Sequence, residues 1–322
     1  MIDGKSRTID YLRISVTDRC NLRCVYCMPE KGVEWMPHEA VLRYEDILRL
    51  CRVFAGLGVT KYKITGGEPL VRKGLDTLIS GIKAIPGAES VTITTNGVLL
   101  KEQLPALLEA GLDGVNISLD TLDPARYQEL TRRDELKAVM GSLKAALGAP
   151  GLNVKINCVP TGDRSRDWLE LAALAREERA AVRFIELMPL GLGRSLASCT
   201  EAEIRRLLEK EYGPMAPFVG KLGNGPCRYF TVPGFLGKIG FISAMSHQFC
   251  HQCNRVRLTA GGFLKTCLQY NEGIELSPLL KGSDRQLREA IRAAIYRKPG
   301  AHQFAAGAGA GLEGHLMNQI GG

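Results

Sequence analysis

The sequence predicts an α/β fold: an incomplete (β/α)6 TIM-like barrel with a C-terminal α+β layer covering the open rim. Three observations carry this reading. From residue 12 to residue 188 short β-rich runs alternate six times with helical patterns, which implies parallel strands joined by right-handed crossovers. After Pro189 the alternation stops. Small, polar and metal-binding residues collect just past the C-terminal ends of the strands, where such folds place their chemistry. A flat doubly wound sheet is the alternative architecture.

The first strand, Leu12–Thr17, runs into a loop holding Cys20, Cys24 and Cys27. A helical segment at about 43–57 leads to the strand Lys61–Thr65 and the turn Gly66-Gly67-Glu68-Pro69. Helix 72–84 precedes the strand Ser90–Thr94, which ends in Thr95-Asn96-Gly97, and helix 102–110 precedes the strand Gly114–Leu119 with Asp120 beyond it. Asp123-Pro124 reads as an N-cap followed by proline at the first helical position, opening one helix over 124–147. The strand Asn153–Val159, the helix 167–180 and the strand Val182–Leu187 complete the alternation, ending at Met188-Pro189. Beyond it lie a helix at Glu201–Tyr212, a Gly/Pro-rich stretch, β-like Arg228–Ser243, the Cys250–Cys267 segment and a basic helix over about 284–297. The expected division is a partial barrel over 1–189 and a C-terminal domain over 190–322, whose tail from Ala305 is rich in glycine and alanine.

Composition narrows the function. The 322 residues are 45% apolar and 24% charged, a balance that supports a sizeable core and argues against a disordered chain. No run of 18 uncharged apolar residues exists, which excludes a spanning helix. The first eleven residues carry Asp3, Lys5, Arg7 and Asp10 without an apolar stretch, so a cytoplasmic chain is expected. A formal charge of +8 favours an anionic ligand. Ten cysteines without a secretory signal point to metal binding or catalysis rather than to disulfides.

Cys20, Cys24 and Cys27 form C-x3-C-x2-C on a loop just past a strand. Fully protein-bound iron–sulfur cubes ordinarily take four cysteines; three would leave one iron open to a small molecule. Zinc with His38 as a fourth ligand is the alternative. Cys250, Cys253 and Cys267 make a second triplet, C-x2-C-x13-C, with His247 and His251 alongside as zinc alternatives. Cys51, Cys158, Cys199 and Cys227 lack partners at metal spacing and read as small packed hydrophobes. Arg255 and Arg257 alternate on an extended segment and so project to one side. With Arg13, Lys63, Lys155 and Arg183 on other strands, they suit a polyphosphate. Taken singly, each reads better as a snorkelling or salt-bridged surface residue.

The first triplet with Tyr26 and the Gly66-Gly67-Glu68-Pro69 turn resembles the radical S-adenosylmethionine (SAM) superfamily. Further segments narrow the resemblance to the GTP 3′,8-cyclase, or molybdenum cofactor biosynthesis protein A, family. They are Leu12–Cys24, Ile64–Leu70, Thr94–Gly97, Asn116–Asp120, Arg183–Met188, Cys250-x-x-Cys253-Asn254-Arg255-x-Arg257 and Gly321-Gly322. The resemblance implies a radical SAM lyase with two [4Fe–4S] clusters. Cys20, Cys24 and Cys27 would hold the cluster that cleaves SAM, with Tyr26, Gly67, Ser118 and Met188 contacting SAM. Cys250, Cys253 and Cys267 would hold the second, whose free iron binds the guanine base.

On the same resemblance Arg13, Lys63, Thr94, Lys155, Arg183, Arg255, Val256 (through its backbone) and Arg257 would line the GTP pocket. Arg257, Gly321 and Gly322 would act at the catalytic centre, the two glycines threading into it. A 5′-deoxyadenosyl radical would take the C3′ hydrogen of GTP, and C3′–C8 bond formation would lead to 3′,8-cyclo-7,8-dihydro-GTP for molybdenum cofactor biosynthesis. An external electron donor and a downstream cyclic pyranopterin monophosphate synthase are implied as partners, with no membrane or nucleic acid; a homodimer is compatible. Lys63 stands where the family carries arginine and cannot make a bidentate fork. A radical SAM peptide or RNA modifier also explains both triplets, though it gives no special account of Asn254-Arg255-x-Arg257. An electron-transfer or nucleic-acid-binding module would be expected to show four-cysteine ligation.

Overall fold

β1 (Tyr11–Ser15) is buried along nearly its whole length, as expected of a parallel strand covered on both faces. In the computed structural model, which describes residues 1–162, 164–220, 222–304 and 313–321, it is followed by α1 (Tyr44–Ala55), β2 (Lys61–Thr65), α2 (Leu75–Lys83) and β3 (Ser90–Thr95). Next come α3 (Leu100–Glu109), β4 (Gly114–Ser118), α4 (Pro124–Thr131), α5 (Leu136–Leu147), β5 (Asn153–Cys158), α6 (Ser165–Glu177) and β6 (Ala181–Ile185). The C-terminal part adds α7 (Glu201–Tyr212), β7 (Ala216–Pro217), β8 (Arg228–Thr231), β9 (Lys238–Ile242), β10 (Arg255–Leu258), β11 (Phe263–Lys265), β12 (Gly273–Glu275), α8 (Asp284–Tyr296) and the short α9 (Met317–Ile320).

One sheet orders these strands β12-β11-β10-β1-β2-β3-β4-β5-β6-β9-β8-β7. Strands β1 to β6 follow one another in sequence order, so right-handed crossovers place their helices on a single face. A doubly wound sheet would reverse direction midway; this one does not. The sheet is the curved parallel wall of a partial barrel, with antiparallel strands beyond it at both edges. β10 joins parallel to β1 and β9 parallel to β6, so the chain after residue 189 extends the same sheet at both of its edges.

Period-two alternation sorts the side chains. Leu12, Ile14, Tyr62, Ile64, Ile93, Val115, Ile117, Ile156, Val182 and Phe184 face the helices and form the core, which also contains Cys51 and Cys158. The alternate residues, including Arg13, Lys63, Asn116, Lys155 and Arg183, face the concave side. Among the described residues no helix is long and apolar enough to cross a membrane.

The single helix expected over 124–147 is two. Asp123 caps α4 as anticipated, accepting from the Arg126 amide at 2.8 Å. The break falls at Arg132, whose φ of 57° ends α4 in the left-handed region. The cause is tertiary. The Arg132 guanidinium donates to the carbonyls of Arg23 and Met28 at 3.1 and 3.0 Å, while the Arg23 and Val25 amides donate to Thr131 and Leu130. The helix end is therefore a clamp on the first cysteine loop.

Candidate functional site

The concave side of the sheet encloses a cavity of about 600 Å³. Both cysteine triplets line it, but from opposite ends. Cys20, Cys24 and Cys27 follow the C-terminal end of β1. Cys250 and Cys253 precede β10, which runs parallel to β1, and Cys267 follows antiparallel β11, so this triplet lies where the barrel strands begin. Strand direction alone thus puts one thiol group at each mouth.

Between them runs a belt of cations set by register. Arg13 is paired laterally with Arg257 on one side and Lys63 on the other. Arg183 lies next to Asn157, whose side-chain oxygen accepts from its Nε at 2.9 Å. With the Asn116 amide turned so that its oxygen faces the cations, it accepts from Lys63 and, at 3.1 Å, from Arg183. Among the described residues, Lys63, Lys155, Arg183, Arg255 and Arg257 make no ion pair with a carboxylate. Burial, then repulsion from Arg183, Arg13 and Lys155, holds the Lys63 ammonium well below its usual range. Burial with repulsion from Arg183 lowers Lys155 to about 8, and burial with repulsion from Arg13 and Arg255 depresses Arg257. Like charges are held together here at a cost, which a polyanion would relieve.

The thiols of the first triplet are half-buried and all three line the cavity. Burial raises Cys20 to about 11 and Cys27 to about 12, with Cys20 adding to the rise at Cys27; Cys24 is pushed up by burial and by Cys27, Asp120 and Cys20. Half-buried thiols whose ionisation is disfavoured suit a cationic metal cluster that would take them as thiolates. In the second triplet, burial raises Cys250, whereas Lys298 and Arg255 outweigh burial at Cys253 and bring it to about 7. Arg7 anchors this loop by donating to the Cys250 carbonyl at 2.9 Å, and the His302 amide donates to the Cys250 sulfur at 3.4 Å.

The zinc alternatives lose their fourth ligands. His38, His247 and His251 are exposed and none lines the cavity. Among the described residues no three Cys, His, Asp or Glu side chains converge on a position for a metal ion. Three cysteines at each end, with none of these histidines lining the cavity, suit a group that takes three thiolates.

Tyr26, Gly67, Ser118 and Met188 line the cavity near the first triplet's end, and Thr94 and the cations named above line it too. The Tyr26 hydroxyl donates to Asp120 at 2.7 Å. A β-carbon on Gly67 would stand 2.4 Å from the Arg19 carbonyl oxygen and 2.6 Å from that of Asp18. Glycine is required there because the cysteine loop's own backbone crosses the position. Val256 is different: its side chain is buried in the core and it does not line the cavity, while its backbone pairs with Leu12. A residue between two inward arginines must face outward, so only its backbone is left for a ligand. Gly321 has φ +73° and its carbonyl accepts from Arg257 at 2.7 Å. Gly322 and the Gly/Ala-rich tail at 305–312 lie outside the described residues.

Several cavity residues were not singled out from sequence. Cys227, read as a packed hydrophobe, lines the cavity instead. Asn157 and Phe249 carry no motif; Arg255 stacks on the Phe249 ring, 5.3 Å from its centroid. Glu68 was visible only as part of the Gly-Gly-Glu-Pro turn. It is 1% exposed and accepts from Thr95 Oγ1 at 2.7 Å and from the Asn96 and Leu70 amides, tying its own turn to the loop after β3. Burial nevertheless raises it from 4.5 to about 7. The folded chain then binds the extra proton between those values, so stability should fall as pH rises from about 4.5 to 7, by roughly 3 kcal/mol. Burial also raises Asp120 to about 6, which adds its own fall at the lower end of that window, so in the metal-free protein Glu68→Gln should remove chiefly the fall between about 6 and 7.

A parallel partial barrel with a C-x3-C-x2-C loop at the end of its first strand defines the radical SAM class. The Radical SAM superfamily profile matches residues 14–179, and the Molybdenum Cofactor Synthesis C profile matches residues 180–304. The chain is 44% identical over 307 residues to the GTP 3′,8-cyclase of Clostridium perfringens (strain 13 / Type A), covering 94% of this chain and 95% of that protein. It is likewise 44% identical over 332 residues to the GTP 3′,8-cyclase of Pelotomaculum thermopropionicum, with both chains covered in full. Its fold is similar to that of Streptococcus suis SuiB bound to S-adenosylmethionine, with TM-score 0.61, 17% identity, and coverage of 90% of this chain and 68% of that one. The chain belongs to the GTP 3′,8-cyclase family of the radical SAM superfamily. Membership of that superfamily carries a [4Fe–4S] cluster and SAM with it.

Proposed function

We infer that this chain converts GTP to 3′,8-cyclo-7,8-dihydro-GTP in molybdenum cofactor biosynthesis. The observation that carries the reading is the belt of inward cations lying between two thiol triplets at opposite ends of one cavity. Cys20, Cys24 and Cys27 would hold the cluster that binds SAM, beside Tyr26, Gly67, Ser118 and Met188. Cys250, Cys253 and Cys267 would hold a second [4Fe–4S] cluster, toward which the guanine base would lie. When bound, the first cluster and SAM supply the electron and the hydrogen-abstracting radical chemistry that the polypeptide lacks.

The residues supply binding, orientation and dryness. Arg13, Lys63, Lys155, Arg183, Arg255 and Arg257 would grip the triphosphate, its negative charge offsetting their mutual repulsion. That grip fixes the ribose within the barrel, so that C3′ is presented to the first triplet's end and the base to the other. Glu68 and Asp120 hold the loops that frame the first triplet through the hydrogen bonds given above. For GTP, the net change is loss of hydrogen from C3′, a new C3′–C8 bond, and gain of one electron and one proton. Lys63 gives a point charge in place of a fork, so bidentate recognition would fall to the arginines of the belt.

Anaerobic reconstitution followed by incubation with SAM and a reductant tests the reading. The expected result is about eight irons per chain and 5′-deoxyadenosine formation that depends on GTP. Zinc in both sites, or 5′-deoxyadenosine formation that needs peptide or RNA instead, would overturn it.

A further inference from the structure

The C-terminal segment that reaches Arg257 is pinned at one further point, on the strand that pairs with β10 beside Arg257. Glu313 is 0% exposed and pairs with Lys265 of β11, itself 1% exposed. The Glu313 amide donates to the Gln269 carbonyl at 2.7 Å, and its own carbonyl accepts from Arg194 at 3.0 Å. The His315 amide and ring Nδ1 lie 2.8 and 2.7 Å from Glu313 Oε1. Lys265 spends a second donor on the Tyr270 carbonyl. Glu313 therefore gathers β11, the loop after Cys267, the turn at Gly191–Ser195 and the tail itself.

Beyond this point the polar holds are few. Asn318 donates to the Asp18 carbonyl at 3.1 Å, and Gly321 accepts from Arg257 at 2.7 Å. Gly321 sits so close to β1 and β2 that a β-carbon would lie 3.0 Å from that of Ser15 and 3.3 Å from Thr65 Cγ2. A slip of the tail by one residue would bring Ile320 or Gly322 to that position. Apolar packing of Ile320 tolerates sliding; a desolvated ion pair with fixed hydrogen bonds does not. Buried ion pairs add little net stability but set register, and that use is the best attested for them.

We propose that the Lys265–Glu313 pair is the positioning device that sets the register of the C-terminal segment and so seats Gly321 at Arg257. This rests on the reading that Arg257 belongs to the GTP site. The test uses the full-length, reconstituted protein with Glu313→Gln and Lys265→Met, each checked for cooperative thermal unfolding, with Glu289→Gln at the exposed Arg285 pair as control. Amides of residues 317–321 should exchange about tenfold faster in both variants and not in the control. GTP-dependent turnover should lose about tenfold in kcat while KM for SAM stays within about twofold. Wild-type protection at 317–321 in either folded variant overturns the proposal, and so does full turnover with a loosened tail. A wild-type chain that does not act on GTP would overturn the proposed reaction instead; the exchange pattern judges the latch by itself.

Discussion

Cys24→Ala should lower the iron of the reconstituted protein from about eight to about four per chain and abolish SAM cleavage. Cys24 lies beside Cys20, Cys27 and Asp120, so its replacement leaves two thiols to hold the cluster. Fold should survive, because an alanine fills less space in a cavity wall and the loop stays clamped by Arg132 and the Leu130 and Thr131 carbonyls. Iron content and circular dichroism measured on one preparation check this. Retention of both clusters would mean that another residue completes the first site.

Arg257→Ala should weaken GTP binding about 10- to 100-fold, the range for losing one charge-assisted hydrogen-bonding group. SAM binding should be unchanged, since Arg257 lies on the belt and not among the residues near the first triplet. The apo protein should unfold no earlier than the wild type. Removing one of three crowded arginines relieves repulsion from Arg13 and Arg255, and that gain offsets the lost bond to Gly321. Calorimetric titration with GTP and a thermal melt without it separate the two effects. A destabilised apo protein with normal GTP affinity would show that Arg257 serves the fold rather than the ligand.

Local signals in the sequence translated well into structure. Lys61–Thr65 and Glu201–Tyr212 fall at the expected residues because strand alternation and, for α7, the Thr200–Glu203 capping box are local in origin. The inward side chains of the site followed from period two, and the arginines at 255 and 257 do face one side of β10. What was not legible depends on distant partners. The break at Arg132 exists because the cysteine loop packs there, and no periodicity within 124–147 records that. That β10 pairs with β1, across more than two hundred residues, decides which end of the barrel the second triplet occupies. Lys265 and Glu313 look like ordinary surface charges until the fold buries them. Val256 shows the limit of the motif itself: the three residues Arg255–Arg257 are continuous in sequence, yet the middle side chain belongs to the core.

Transfer of deuterium from C3′-labelled GTP into 5′-deoxyadenosine is the most direct test of how the cavity is used. On the proposed reading the cation belt and the two opposed triplets would orient the ribose, so label from C3′ alone should appear in 5′-deoxyadenosine, with none from other ribose carbons. Label arriving from C2′ or C5′, or unlabelled 5′-deoxyadenosine formed while GTP is consumed, would contradict that placement.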